Sequence, residues 1–159
     1  MQRTLILLLT AFCCGLTYAD TYEVTVTRKG SNIYKASGKD IIIHTRYCYA
    51  YAYSEDAILK GNGYGGEIIF PESRDKCDVK AVFGPSIQKS GKFKVMISRD
   101  DDDWYEFFGT NTYIKTSACL SLALGEEAIF NHRGSGIGTL YFKDGTDCMV
   151  EGVYSKMRL

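Results

Sequence analysis

The sequence predicts an all-β protein made of two tandem repeats of a small, disulfide-stapled antiparallel unit, sandwich or barrel-like, with five or six strands in each. Three observations carry this expectation. Apolar residues alternate with a period of two between clusters of turn-forming residues. The second half of the chain repeats the first at a fixed offset. The four cysteines beyond the N-terminus fall into two pairs of equal spacing. No stretch of ten or more residues combines apolar spacing of three and four with helix-capping residues at its ends.

The elements follow in order. Met1-Gln2-Arg3 precedes an apolar run, Leu5 to Leu9 and on to Phe12, and Thr17-Tyr18-Ala19 reads as a signal-peptidase site. Residues 1–19 are therefore expected to be a secretion leader. Cys13 and Cys14 lack the small preceding residue that a lipidated cysteine needs, because Phe12 and Cys13 stand there. The first repeat, 20–88, opens with alternation over 22–28 and a short run over 32–36. A long extended segment spans 40–53, and shorter runs follow over 57–60, 67–70 and 77–83. Between them lie Lys29-Gly30-Ser31-Asn32, Ser37-Gly38-Lys39-Asp40, the glycine-rich loop Gly61 to Gly66, and Pro71-Glu72-Ser73. A short link, Gly84-Pro85-Ser86 through Gly91-Lys92, leads to the second repeat, 89–159, and favours adjacent units over freely swinging ones.

An offset of 71 residues places Tyr22 to Arg28 on Phe93 to Arg99, Tyr34 on Tyr105, Gly38 on Gly109, Thr45 on Thr116 and Cys48 on Cys119. Glu55 falls on Glu126 and, after compensating one-residue slips, Cys77 falls on Cys148. Each cysteine pair is 29 residues apart. A copied unit most simply closes its own bridge, so the expected disulfides are Cys48 with Cys77 and Cys119 with Cys148. Each would stabilise its unit by about 3–4 kcal/mol in the chain-entropy model, a large share for a core built from about 70 residues.

Charge and composition restrict function. The chain carries 19 Lys+Arg and 19 Asp+Glu, and loss of residues 1–19 removes Arg3 alone, leaving a net charge of about −1. A protein that neutralises phosphates needs a basic surplus, so nucleic acid is not expected as a partner. No later run reaches the roughly 18 apolar residues of a membrane-spanning helix.

Tyr47, Tyr49, Tyr51 and Tyr53 share one face of the 40–53 segment, with Cys48, Ala50 and Ala52 on the other. Exposed, such a row would make a platform for sugar or protein. The matched positions Ala118, Leu120, Leu122 and Leu124 look like core residues, so Tyr49, Tyr51 and Tyr53 are expected to fill the interior with their hydroxyls at the rim. Arg28 with Glu55, and Arg99 with Glu126, are expected as structural ion pairs, and Thr45 and Thr116 as hydroxyls bonded to backbone.

Catalytic signatures are missing. His44 and His132 have no histidine at the matched position of the other repeat, the cysteines are expected to be oxidised, and no G-x-S-x-G is present. Asp100 to Asp103 offers calcium ligands but lacks the EF-hand order and reads as a solvated hairpin tip. No cofactor and no metal are expected. The expected function is a secreted or periplasmic, non-enzymatic binding module, of an inhibitor or immunity type, acting on another extracytoplasmic protein. Its loop tips present Tyr64, Asp102, Asp103, Trp104 and Arg133 as the candidate contact residues. The alternative is a small secreted hydrolase that uses Glu55 or Glu126 with His44 or His132 in a site between the repeats.

Overall fold

The computed structural model describes residues 20–159, so the expected leader, with Cys13 and Cys14, lies outside the described residues. The described residues form twelve strands and no helix. They are β1 (Thr21–Gly30), β2 (Ile33–Ala36), β3 (Ile42–Arg46), β4 (Glu55–Gly61), β5 (Gly66–Phe70), β6 (Asp75–Pro85), β7 (Gly91–Asp101), β8 (Trp104–Phe107), β9 (Thr112–Ser117), β10 (Leu124–Gly134), β11 (Ile137–Phe142) and β12 (Asp147–Met157).

All pairings are antiparallel, and they close a six-stranded barrel. β1 pairs with β2 and β4, β2 with β3, β3 with β6, and β6 with β5, which returns to β4. The later strands close a second cycle in the same way, β7–β8–β9–β12–β11–β10 and back to β7. Closure leaves no long free edge for unpaired backbone groups. The two cycles meet where β12 leaves β11 and pairs with β6, from Tyr154 opposite Pro85 to Met157 opposite Val82. At eleven residues each, β6 and β12 are long enough to pair with three strands apiece, β6 with β3, β5 and β12, and β12 with β9, β11 and β6.

Alternation explains which side chains fill the barrels. Val26, Tyr34, Ile43, Leu59, Ile68, Phe70, Val79 and Val82 point into the first. Ile97, Tyr105, Ile114, Phe130, Leu140, Val150 and Val153 fill the second. A third cluster, Ile33, Ile42, Ala81, Phe83, Trp104 and Tyr113, joins them. The β4–β5 hairpin needs glycine at Gly66, where φ is +155° and a Cβ would stand 1.9 Å from the Lys60 carbonyl oxygen. The two disulfides are the expected pairs, Cys48–Cys77 and Cys119–Cys148.

Several expectations are corrected. The long segment over 40–53 is not one strand, because β3 ends at Arg46 and Tyr47 turns the chain with φ +51°. Tyr47, Tyr49, Tyr51 and Tyr53 face solvent, at 78–85% exposure, while Cys48, Ala50 and Ala52 are buried. The row was expected to face inward; the disulfide fixes the opposite parity, since Cys48 must point inward to reach Cys77. Trp104 is not at a hairpin tip but is 1% exposed, buried against the first barrel. The expected ion pairs of Arg28 with Glu55 and of Arg99 with Glu126 do not form. Each arginine instead donates to the backbone of its own hairpin, Arg28 Nε to the Gly30 carbonyl and Arg99 Nε to the Asp102 carbonyl.

Candidate functional site: an exposed tyrosine row

Residues 47–54 form an extended strap laid on the first barrel outside any sheet. Left-handed residues bracket it, Tyr47 at φ +51° and Ser54 at φ +53°. Four hydrogen bonds hold its backbone down. The Cys48 amide donates to Asn32 Oδ1 at 2.8 Å, and the Ser54 amide to Thr27 Oγ1 at 3.1 Å. The Tyr34 hydroxyl donates to the Ala50 carbonyl at 2.7 Å and lies 3.1 Å from Cys48 Sγ. The Arg28 amide donates to the Ala52 carbonyl at 2.8 Å. Because Cys48, Ala50 and Ala52 are small, the strap can lie close to the barrel wall. That geometry sends the tyrosines outward at the i, i+2 interval of an extended chain, roughly 6.5–7 Å.

Tyr34 is completely buried, and desolvation first of all raises its phenol above its ordinary pKa despite the opposing charge of Arg28. It therefore stays a proton donor under the strap. At the end of the row a hollow of about 730 Å³ is lined by Tyr51, Tyr53, Glu55, Asp56 and Glu72. Burial, then the carboxylates of Glu72 and Asp75, pushes the Glu55 carboxyl up, and its Oε1 has no hydrogen-bond partner.

The second barrel carries a strap of similar construction from Ala118 at φ +49° into the start of β10, where Leu124 pairs with Ser98 and Gly125 stands at φ +67°. The Cys119 amide donates to Asp103 Oδ1 at 3.2 Å, and the Tyr105 hydroxyl to the Ser121 carbonyl at 2.6 Å. The Arg99 amide donates to the Ala123 carbonyl at 2.8 Å, and the Gly125 amide to Ser98 Oγ at 2.9 Å. Here the outward residues are Leu120, Leu122 and Leu124, exposed at 79–85%. Thr45 and Thr116 donate to the backbone carbonyls of Asn32 and Asp103.

The residues expected at the contact tips lie on separate turns. Tyr64 is exposed between β4 and β5 with the Lys156 ammonium 5.8 Å from its ring. Asp102 is exposed at the β7–β8 tip with φ +39°. Asp103 is bound to the second strap, and Arg133, exposed near the end of β10, donates to Thr139 Oγ1. Asp100 is held by Lys80 at 3.0 Å. Among the described residues, no group of three or more His, Cys, Asp or Glu is placed to hold a metal ion.

Neither histidine meets Glu55 or Glu126. His44 is wedged between Phe83 and Trp104, with ring centroids at 4.8 and 4.6 Å, and burial lowers its pKa to about 4. His132 Nδ1 lies 3.0 Å from the Lys89 carbonyl oxygen, beside a cleft of about 450 Å³ that also touches Lys35, Asp40, Glu151 and Tyr154. Those charges are already paired, Lys35 with Asp40 at 2.8 Å and Glu151 with Lys115 at 2.6 Å. Compared with protein-family models, curated proteins and solved structures, the chain matches none. Among the described residues no helix is long and apolar enough to cross a membrane.

Alternation in the sequence puts the four tyrosines on one face; that this face is exposed is seen only in the structure. Four rings standing in water on a braced strap make a contact surface that combines apolar area with hydroxyl groups. Burial of one such side chain removes about 150–250 Å² from water, and side chains of this kind dominate binding energies when they are covered.

Proposed function

We propose that this chain is an exported, non-enzymatic binding module, acting on another extracytoplasmic protein as an inhibitor or immunity-type partner, with Tyr47, Tyr49, Tyr51 and Tyr53 as its contact surface. The observation that carries the reading is the row's exposure on a strap whose backbone is fastened from below. A rigid display costs little ordering entropy on binding. The leader-like N-terminus and two disulfides support an oxidising, extracytoplasmic setting. The matched straps, brackets and bridges support an origin of the two halves by tandem duplication. In that event the anchoring residues are the inherited part, and the outward residues, tyrosine in one strap and leucine in the other, are the part that diverged.

The test is capture of partners from the native extracytoplasmic fraction by cross-linking to the wild-type protein and to a Tyr49→Ser, Tyr51→Ser double variant. Surface substitutions of this kind leave folding nearly unchanged. The reading expects at least a tenfold loss of the captured partner. Equal capture by both proteins would overturn it.

A further inference from the structure

We propose that the tyrosine row of one copy docks on the Leu120–Leu122–Leu124 row of a second copy, so that the two straps are the complementary halves of a self-association contact. This rests on the reading of the tyrosine row as a contact surface and adds a second copy of the chain to what that surface would meet. Three leucines in line at 79–85% exposure form an apolar stripe that water does not favour. Between Lys115 and Glu126 no charged residue interrupts that stripe, and none interrupts the first strap between Arg46 and Glu55. Strand edges are used up by barrel closure, so the straps are the adhesive surfaces that remain.

Three features select the unlike row as occupant. The straps share one construction, with matched brackets and matched backbone anchors, so their outward residues recur at one pitch and interdigitate along their length. Area admits the unlike pairing. Four tyrosines and three leucines together cover on the order of 1,200 Å², the lower limit of a stable interface. Two leucine rows cover well below it, and pairing of tyrosine rows alone leaves every leucine in water, whereas head-to-tail pairing of unlike rows covers both rows of an interior copy with one kind of contact. Charge sets the direction. Arg46 precedes the tyrosines and Glu55-Asp56 follow them, while Lys115 precedes the leucines and Glu126-Glu127 follow. Antiparallel docking places Arg46 against Glu126, whereas parallel docking brings the two acidic ends, Glu55-Asp56 and Glu126-Glu127, together; Lys115 is already held by Glu151 at 2.6 Å and adds no free charge. The near-zero net charge of the chain puts no long-range repulsion between copies.

Contact between two different patches is heterologous, and its signature is complementation. The experiment is sedimentation velocity of the disulfide-bonded protein from low micromolar to submillimolar concentration, with Tyr51→Asp and Leu122→Asp variants alone and mixed. The expected result is a wild-type mass rising with concentration to twice the monomer and beyond. Each variant alone should lose at least tenfold in association, and the equimolar mixture should recover a one-to-one dimer that grows no further. A wild type that stays monomeric, a variant that still dimerises alone, or a mixture that stays monomeric would overturn the proposal. If the wild type is monomeric while the Tyr49→Ser, Tyr51→Ser variant loses a foreign partner, self-association fails and the contact reading survives.

Discussion

The Tyr34 hydroxyl, fully buried in the first barrel, donates to the carbonyl of Ala50 at 2.7 Å, and through that bond the core of the barrel holds the strap that displays the tyrosine row. Tyr105 does the same for Ser121 in the second barrel at 2.6 Å. A phenol inside a small barrel is tolerable only with a partner, and here the partner is the backbone of the strap.

Replacement of Tyr34 by Phe removes the donor and leaves the Ala50 carbonyl without it. The expected loss is about 1–2 kcal/mol of unfolding free energy, with faster hydrogen exchange at the Arg28 amide, which bonds Ala52 two residues further on. Tyr105→Phe should act alike on the Arg99 amide. Denaturant titration with amide exchange checks both, and unchanged exchange at Arg28 and Arg99 would show that the straps are held without these hydroxyls.

The Cys48–Cys77 bridge ties the strap to β6. A Cys48→Ala, Cys77→Ala variant should lose roughly 3–4 kcal/mol on the chain-entropy model. The tyrosine row should also lose its fixed geometry, so partner capture should fall although no tyrosine was changed. A thermal melt and the capture assay measure the two effects separately.

His44 gives the fold a defined acid response. Burial between Phe83 and Trp104 dominates its depressed pKa, with the Lys80 ammonium adding slightly and the Asp100 carboxylate opposing. Because the folded value of about 4 lies below the unfolded value of 6.5, the unfolded chain binds more protons between those limits. Stability is therefore complete above about pH 6.5 and falls as the pH drops toward 4, by roughly 3 kcal/mol from this group. In a His44→Leu variant that part of the pH dependence should vanish. Identical wild-type and variant curves between pH 4 and 7 would contradict it.

Much of this architecture could be read from residue order. The period-two alternation locates most strands of the first half, and the match between the two halves, rather than cysteine spacing alone, gives the pairing of the bridges that is observed. The strap was misread for a physical reason: alternation separates two faces without saying which is inside, and leucine at the matched positions suggested a core. The signal that settles it was present in Cys48. A cysteine bridged to a barrel strand must point inward, which carries Ala50 and Ala52 with it and turns Tyr47, Tyr49, Tyr51 and Tyr53 out. The burial of Trp104 is not legible locally because it depends on Phe83 and His44, contacts between the barrels that no local pattern encodes. Asp103, a candidate contact residue from the sequence, has a carboxylate that caps the Cys119 amide as Asn32 caps that of Cys48.

The outward orientation of the tyrosine row can be measured on the dilute free protein by brief nitration and peptide mass mapping. The structure requires rapid modification of Tyr47, Tyr49, Tyr51 and Tyr53, with Tyr34 and Tyr105 untouched until the protein unfolds. Protection of the row in a monomer, with modification confined to other tyrosines, would mean that these rings are not a surface at all.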